Sequence, residues 1–288
     1  MIDTENIILE EILSRQPPAT LYHYTTQVGL LGIIKTKEIW ATHTQYMNDR
    51  REYLHAVDLV RQEIESRVET VTDDNAKAAL NEMHGCLEGN EIINVCVCSF
   101  SEVRDSLSQW RAYGDRASGF AIGFSGQFIA DRVRGSQDFK LVQCLYSLEE
   151  QKTLIKALVE KVLQENLGRS DVSAQDELPP GGNLTAYLHK YAPILKNAAF
   201  SEEKEWRIIS RPLSCKSANF DYREGNSMLI PYYKLILADK STPLELHEIV
   251  VGPTPNYIQS VDSVTGFLVR HGYREIPVSL SSVPYRNW

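Results

Sequence analysis

Three short stretches hold most of the side chains with chemical potential. The first is Tyr22-His23-Tyr24-Thr25, in "LYHYTTQVGLLGIIKTKEIWAT" at 21–42. The second, "SFSEVRDSLSQWRAYGDRASGFAIGF" at 99–124, is dense in Ser, Arg, Asp, Gln, Trp and Tyr yet is flanked by apolar runs. The third, "FSEEKEWRIIS" at 200–210, leads an acidic run into an apolar one. Glu203 and Glu205 are two apart, so on an extended backbone they face the same way, and Arg207 continues that face. Together a histidine, an aromatic platform and a carboxylate suit a site that holds a nicotinamide dinucleotide and breaks its glycosidic bond. A carboxylate can bind a ribose hydroxyl and offset the positive charge growing at C1′ as nicotinamide leaves. An aromatic ring can stack on the nicotinamide. A histidine at a strand end can hold another ribose hydroxyl.

Each stretch also has an ordinary reading. His23 can hydrogen-bond a carbonyl and fill space. Trp110 and Tyr113 can be partly buried rings with satisfied polar tips. Glu203, Glu205 and Arg207 can form a solvated strand face whose ion pair is worth under about 1 kcal/mol. Asn48-Asp49 is explained by a helix start.

Composition narrows the classes. The chain has 288 residues, 43% hydrophobic and 24% charged, with a net charge of −8. That profile belongs to an ordinary globular protein rather than a general nucleic-acid binder, which shows a basic stripe. No apolar run nears the roughly 18 residues of a membrane-spanning helix, and the acidic N-terminus lacks the pattern of a secretory signal. Five cysteines without framework spacing predict reduced thiols and a cytoplasmic location. Cys96 and Cys98 fit one face of a strand, and no metal is expected there. Phosphate-loop, Rossmann, serine-elbow and zincin motifs are absent. A nuclease needs clustered carboxylates, and Asp49, Glu52, Asp105 and Asp115 are scattered.

The elements that must position these residues follow from periodicity and punctuation. Helices are predicted at 5–15, ended by Pro17-Pro18, and after Thr25 or Thr26, with Val28, Leu31 and Ile34 as the apolar face. A long helix starts at an acidic capping box, Asp49 and Glu52, and buries Tyr53, Val57, Val60, Ile64 and Val68. A second helical stretch ends near Gly85 or Gly89. Strands are predicted at "TLYHY", "EIWAT", "IINVCVCSFS", "GFAIGF", "KLVQCLY", "EWRIIS", "SMLIPYYKLIL", "LHEIVVG" and "EIPVSLS". A helix after Ser147, with Glu150 as its capping-box partner, stops at Gly168. The stretch "SDVSAQDELPPGGN" reads as a loop. Further helices are predicted at about 184–197 and from Asn256 to Gly272. Strands do not alternate strictly with helices, so the fold class is α+β: one domain over 1–288 with helical insertions at about 49–90 and 148–199.

The stretches "LYHYTTQVGLLGIIKTKEIWAT…MNDRRE", "CSFSEVRDSLSQWRAYGDRASGFAIGF", "EEKEWRII" and "VVGP…VPYR" together resemble the bacterial family catalogued as domain of unknown function 2971. That resemblance runs in order along nearly the whole chain and supplies no activity. "LYHYT" with the helix after it also resembles the opening of ADP-ribosyltransferases, notably the DNA-modifying toxin branch. This second resemblance implies an ADP-ribosyltransferase-like fold with a mostly antiparallel or mixed central β-structure, and NAD as substrate. It implies that His23, with Tyr24 and Thr25 beside it, contacts the NAD ribose. It implies that Tyr113 or Trp110 stacks on nicotinamide, and that Glu205 is catalytic with Glu203 as its acidic partner. Arg207 departs from the pattern and is assigned to orienting the carboxylate or binding a phosphate. The activity so implied is transfer of ADP-ribose to a protein, nucleic acid or nucleotide, or hydrolysis of NAD, as in a toxin or antiphage effector. The alternative is a non-enzymatic binding or regulatory module in which the Trp110–Tyr113 loop and Arg207 grip a nucleotide or a partner chain without turnover. The two differ in geometry: the enzyme needs His23, Trp110 or Tyr113, and Glu205 around one pocket.

Overall fold

The computed structural model describes residues 4–47, 50–87, 94–114, 119–136, 138–168, 182–239 and 241–284. It is an α+β fold built on one ten-stranded mixed sheet. The strands are β1 (Thr20–Thr25), β2 (Glu38–His43), β3 (Cys96–Ser101), β4 (Phe120–Ser125) and β5 (Phe139–Gln143). They continue with β6 (Glu205–Ser210), β7 (Phe220–Glu224), β8 (Leu229–Ile236), β9 (Leu246–Val251) and β10 (Val278–Leu280). The main path runs β10-β9-β4-β1-β3-β2-β8-β7, and β6 joins β3 with β5 beyond it. Ladders between these strands are antiparallel except β9–β10.

Strand β3 is the junction. One edge pairs with β6 along its length. The other edge is shared: β1 meets it at Ser101, and β2 meets it at Cys96 and Val97. Two arms of the sheet therefore part from one strand.

The helices are α1 (Thr4–Leu13), α2 (Gln27–Thr36), α3 (Arg50–Thr70), α4 (Asp74–Cys86) and α5 (Leu107–Tyr113). The rest are α6 (Gly126–Arg134), α7 (Leu148–Leu167), α8 (Gly182–Tyr191) and α9 (Tyr257–Arg270). Period-two alternation divides the strand side chains between two faces. One face carries Cys96, Cys98, Phe100, Ile122 and Ile208 and is covered by α2, α6 and α9. The other carries Val97, Val142 and Ile209 under α1, α3, α4, α7 and α8. Beside that second core, Tyr22, Tyr24, Trp110, Ala121 and Val250 form a small cluster of their own.

Several local expectations meet a different outcome. Helix α2 buries Leu30, Ile33 and Ile34, whereas Val28 is 77% exposed and Leu31 is also exposed. This helix is apolar on more than one side, so its own periodicity does not say which stripe meets the sheet. Ser147 makes no side-chain cap bond to α7, and Asn256 makes none to α9. Thr26, by contrast, accepts from Gly29 N and caps α2. The polar stretch after β3 contains α5, and neither α5, α6 nor β7 is among the elements that periodicity predicts. The expected 184–197 helix is α8 followed by a 3-10 turn at Ala192–Ile194. The Asp49 capping box and most of the "SDVSAQDELPPGGN" stretch lie outside the described residues.

Candidate functional site

His23 lies on β1 opposite Ile122 and belongs to the α2/α6/α9 face. Its ring is tilted on Phe100 at 5.6 Å. Nδ1 lies 3.0 Å from the Ser99 carbonyl and 3.9 Å from Cys98 Sγ. A carbonyl only accepts, so Nδ1 carries the proton and Nε2 is an acceptor. Ser99 sits where β1 and β2 part, and the imidazole serves a carbonyl there. Burial lowers the His23 pKa, although the bond to Ser99 opposes this, so the ring is neutral at pH 7. Among the described residues Nε2 has no hydrogen-bond partner.

Register places the acidic residue on the other side. Tyr22 pairs with Ser101, and Ser101 pairs with Glu205. Directly opposed side chains share a face, so Glu205 sits with Tyr22, one residue out of phase with His23. The structure does not bring His23 and Glu205 into one pocket; the sheet separates them.

Glu205 is 3% exposed and internally saturated. Arg207 donates Nε to Oε1 at 2.8 Å and Nη2 to Oε2 at 3.1 Å, and the Lys196 ammonium bonds Oε2 as well. Arg207 also donates to the Pro193 carbonyl at 2.6 Å, and Lys196 reaches Glu203. Burial alone would raise the Glu205 pKa; Arg207 and Lys196 outweigh it and hold the carboxyl down to about 2. The expected solvated strand face is therefore a sealed ionic network. Glu203 ends a 3-10 helix, Ala198–Glu203, rather than extending β6, and Lys204 turns the chain in the left-handed region. The two carboxylates converge through Lys196, not through strand alternation.

The aromatic assignments separate too. Trp110 is fully buried, edge-on to Tyr24 at 4.7 Å, with its indole N–H donated to Asp105 at 2.7 Å. It has no free face for nicotinamide, because Tyr24 and the β9 end at Gly252 enclose it. The Tyr24 hydroxyl donates to the Val103 carbonyl and accepts from Ser106 N, which ties α5 to β1. Thr25 packs on the first turn of α2, where a Cβ at Gly29 would fall 1.9 Å from Thr25 Oγ1. Tyr113, at the end of α5, is the exposed ring of the group.

Sequence reasoning passed over a second polar cluster on the Glu205 face. Glu248 on β9 accepts from Tyr22 at 2.9 Å, from Arg104 through Nε and Nη2 at 2.9 Å each, and from Ser279 at 3.1 Å. Gly123 lies between them in register; a Cβ there would come within 3.1 Å of the Tyr22 ring. One signal was available: Glu248 is a lone charge inside the apolar run "LHEIVV". Lys196 in "APILKNAAF" is the matching signal for the sealed network. Asp105 accepts from Ser281 and from Ser282, pinning the segment after β10 to the start of α5. Among the described residues no three His, Cys, Asp or Glu side chains converge as a metal site. No described helix is long and apolar enough to cross a membrane.

Residues 109–208, from α5 to β6, match the model of a family described as protein of unknown function DUF2971. The match supports that resemblance over a segment holding Trp110, Tyr113, Glu203, Glu205 and Arg207; His23 lies outside it. No curated protein and no solved structure matches the chain.

Proposed function

We propose that this chain is a nucleotide-binding module that does not transfer ADP-ribose. The observation that carries the non-catalytic part is the saturation of Glu205 by Lys196 and Arg207, on the sheet face opposite His23. A carboxylate so held cannot turn toward a ribose without leaving two cations buried and unpaired, at several kcal/mol. Trp110 and Arg207 are internal as well, so the grip on a ligand falls to other side chains. The open face of β2 and β8 offers one. Trp40 is 47% exposed and stacks on Tyr232 at 4.2 Å and 27°. Lys234, opposite Trp40 in register, pairs with Asp221 beside them. A flat base stacks on the outer side of Trp40, with Lys234 near its phosphate. The net charge of −8 favours a mono- or dinucleotide over a polymer.

Calorimetry with ADP and NAD tests this reading. Binding that weakens on the order of tenfold in Trp40→Ala and persists in His23→Ala supports it. Binding untouched by Trp40→Ala refutes the platform.

One observation favours a second reading, in which NAD binds at His23. The unpartnered Nε2 of a neutral imidazole at a strand end is an acceptor suited to a ribose hydroxyl. That reading requires NAD binding to be lost in His23→Ala and kept in Trp40→Ala.

A further inference from the structure

Strand β7 ends the sheet: it pairs with β8 on one side and closes the path β2-β8-β7. The direction of its backbone groups follows from that ladder. Lys234 N donates to the Asn219 carbonyl at 2.8 Å, so residues 219, 221 and 223 turn their N–H and C=O toward β8. Tyr222 stands opposite Pro231, which has no N–H to give. Phe220, Tyr222 and Glu224 therefore aim their backbone groups away from β8, along the outer edge. Phe220 N is taken by the Ser217 carbonyl, and Tyr222 N by the side chain of Asp221 next to it. The carbonyls of these residues and Glu224 N have no strand beyond them among the described residues.

Such an edge accepts another strand unless its side chains forbid it. Here the charges favour one partner. The strand reads "FDYRE", with Asp221 and Arg223 on either side of Tyr222. Against a second copy of itself, antiparallel and centred on Tyr222, each Asp221 faces an Arg223. Both contacts fall where the backbone groups point to β8, at the close pairs of an antiparallel ladder, whose side chains approach most nearly. The registers on either side set Asp221 against Asp221 or Arg223 against Arg223, and like charges directly opposed repel. Arg223 is half-buried and has no hydrogen bond or ion pair among the described residues. Asp221 holds Lys234, and a carboxylate has lone pairs for a second cation. On the other face Tyr222 meets Tyr222 across the axis. Leu229, opposite Glu224, and Met228 before it extend the apolar surface, and all three side chains are more than half exposed. We propose that this chain forms a two-fold dimer through β7, the edges pairing antiparallel about Tyr222 with an Asp221–Arg223 ion pair on each side of the axis. Tyr222 N–H leaves the Asp221 side chain and bonds the Tyr222 carbonyl of the second copy, and Glu224 N–H bonds its Phe220 carbonyl. The sheet then runs on from one chain into the next. Trp40 lies two strands in from this edge, so the dimer does not depend on the nucleotide platform.

Sedimentation velocity over a series of protein concentrations tests the proposal, with circular dichroism as the check that each variant is folded. Two five-residue strands make a small interface, so the dimer dissociates in the range of about 10–100 µM. Asp221→Arg alone and Arg223→Asp alone each put like charges together at both contacts and weaken self-association by about tenfold or more. An equimolar mixture of these two variants associates as the parent chain does, because every altered charge then faces its opposite. Tyr222→Pro removes the outward N–H, breaks no bond to β8, and weakens the dimer by a similar factor. A parent chain that stays monomeric up to about 0.5 mM overturns the proposal. So does a dimer that keeps its affinity in any of the three variants, or a mixture no more associated than its two components.

Discussion

Glu205 and Glu248 lie in one row across the sheet, joined in register through Gly123, Tyr22 and Ser101, and each is held by an arginine. They nevertheless do different work. The Glu205 and Arg207 side chains are 4% and 3% exposed, and Lys196 closes the third side. Arg104 over Glu248 is 39% exposed, so water reaches that pair. In the sealed network every charge depends on another, because none can be rehydrated without opening the helical layer. In the open one each charge has water as a substitute. A carboxylate at a sheet centre is thus evidence of chemistry only when something else is free to approach it.

The largest expected effect breaks the sealed side. Glu205→Gln leaves Lys196 and Arg207 buried with half their compensation and lowers unfolding free energy by about 3–5 kcal/mol in urea titrations. A loss under about 1 kcal/mol would mean that the network is open to water.

Acid sharpens the comparison. The Glu205 carboxyl is lowered to about 2 in the folded chain, so its contribution is present above the unfolded pKa near 4.5 and lost as pH falls toward 2. The size is on the order of 3 kcal/mol. Buried His189 titrates in a separate window. Burial lowers its pKa from 6.5 to about 4, with His43 adding to the shift. The unfolded chain therefore takes up the proton first, and stability falls between pH 6.5 and about 4 by a similar amount. Stability curves from pH 7 to 3 should show two steps, and His189→Phe should shrink the upper one and leave the lower, the remainder of the upper step belonging to His23 and His43, whose pKa values burial also lowers.

At the open cluster the effect is smaller. Glu248→Gln keeps an acceptor for Tyr22 and exposes Arg104 to water, costing about 1 kcal/mol by urea titration. The smallest change is at Trp40, whose half-exposed ring makes Trp40→Ala alter stability by about 0.5 kcal/mol or less. An equal loss for Glu248→Gln and Glu205→Gln would erase the distinction between the two clusters.

Much of the sheet was readable in the sequence, because β3, β6, β8 and β9 are apolar runs bounded by turn residues. The α3 stripe was readable too: Val57, Val60 and Ile64 are buried as the helical period requires. The site was less so. Local alternation relates Glu205 to Arg207 correctly, yet it says nothing about His23, whose phase depends on the contacts Tyr22–Ser101 and Ser101–Glu205 across three strands. A shift of one residue in either would have put His23 and Glu205 on one face. Lys196 is equally non-local. It arrives from the turn after α8, and a lone lysine in an apolar run does not announce which carboxylates it will meet. The α2 face was misread because Val28 and Leu31 keep helical spacing as well as Leu30 and Ile34 do.

The most direct test of the account is nicotinamide release from NAD, measured for the parent chain and for Glu205→Gln, each checked for fold by circular dichroism and supplied with cell extract as a source of acceptors. The account predicts no release above the protein-free blank from either protein. Release by the parent chain that disappears in a folded Glu205→Gln would contradict it and make Glu205 the catalytic carboxylate.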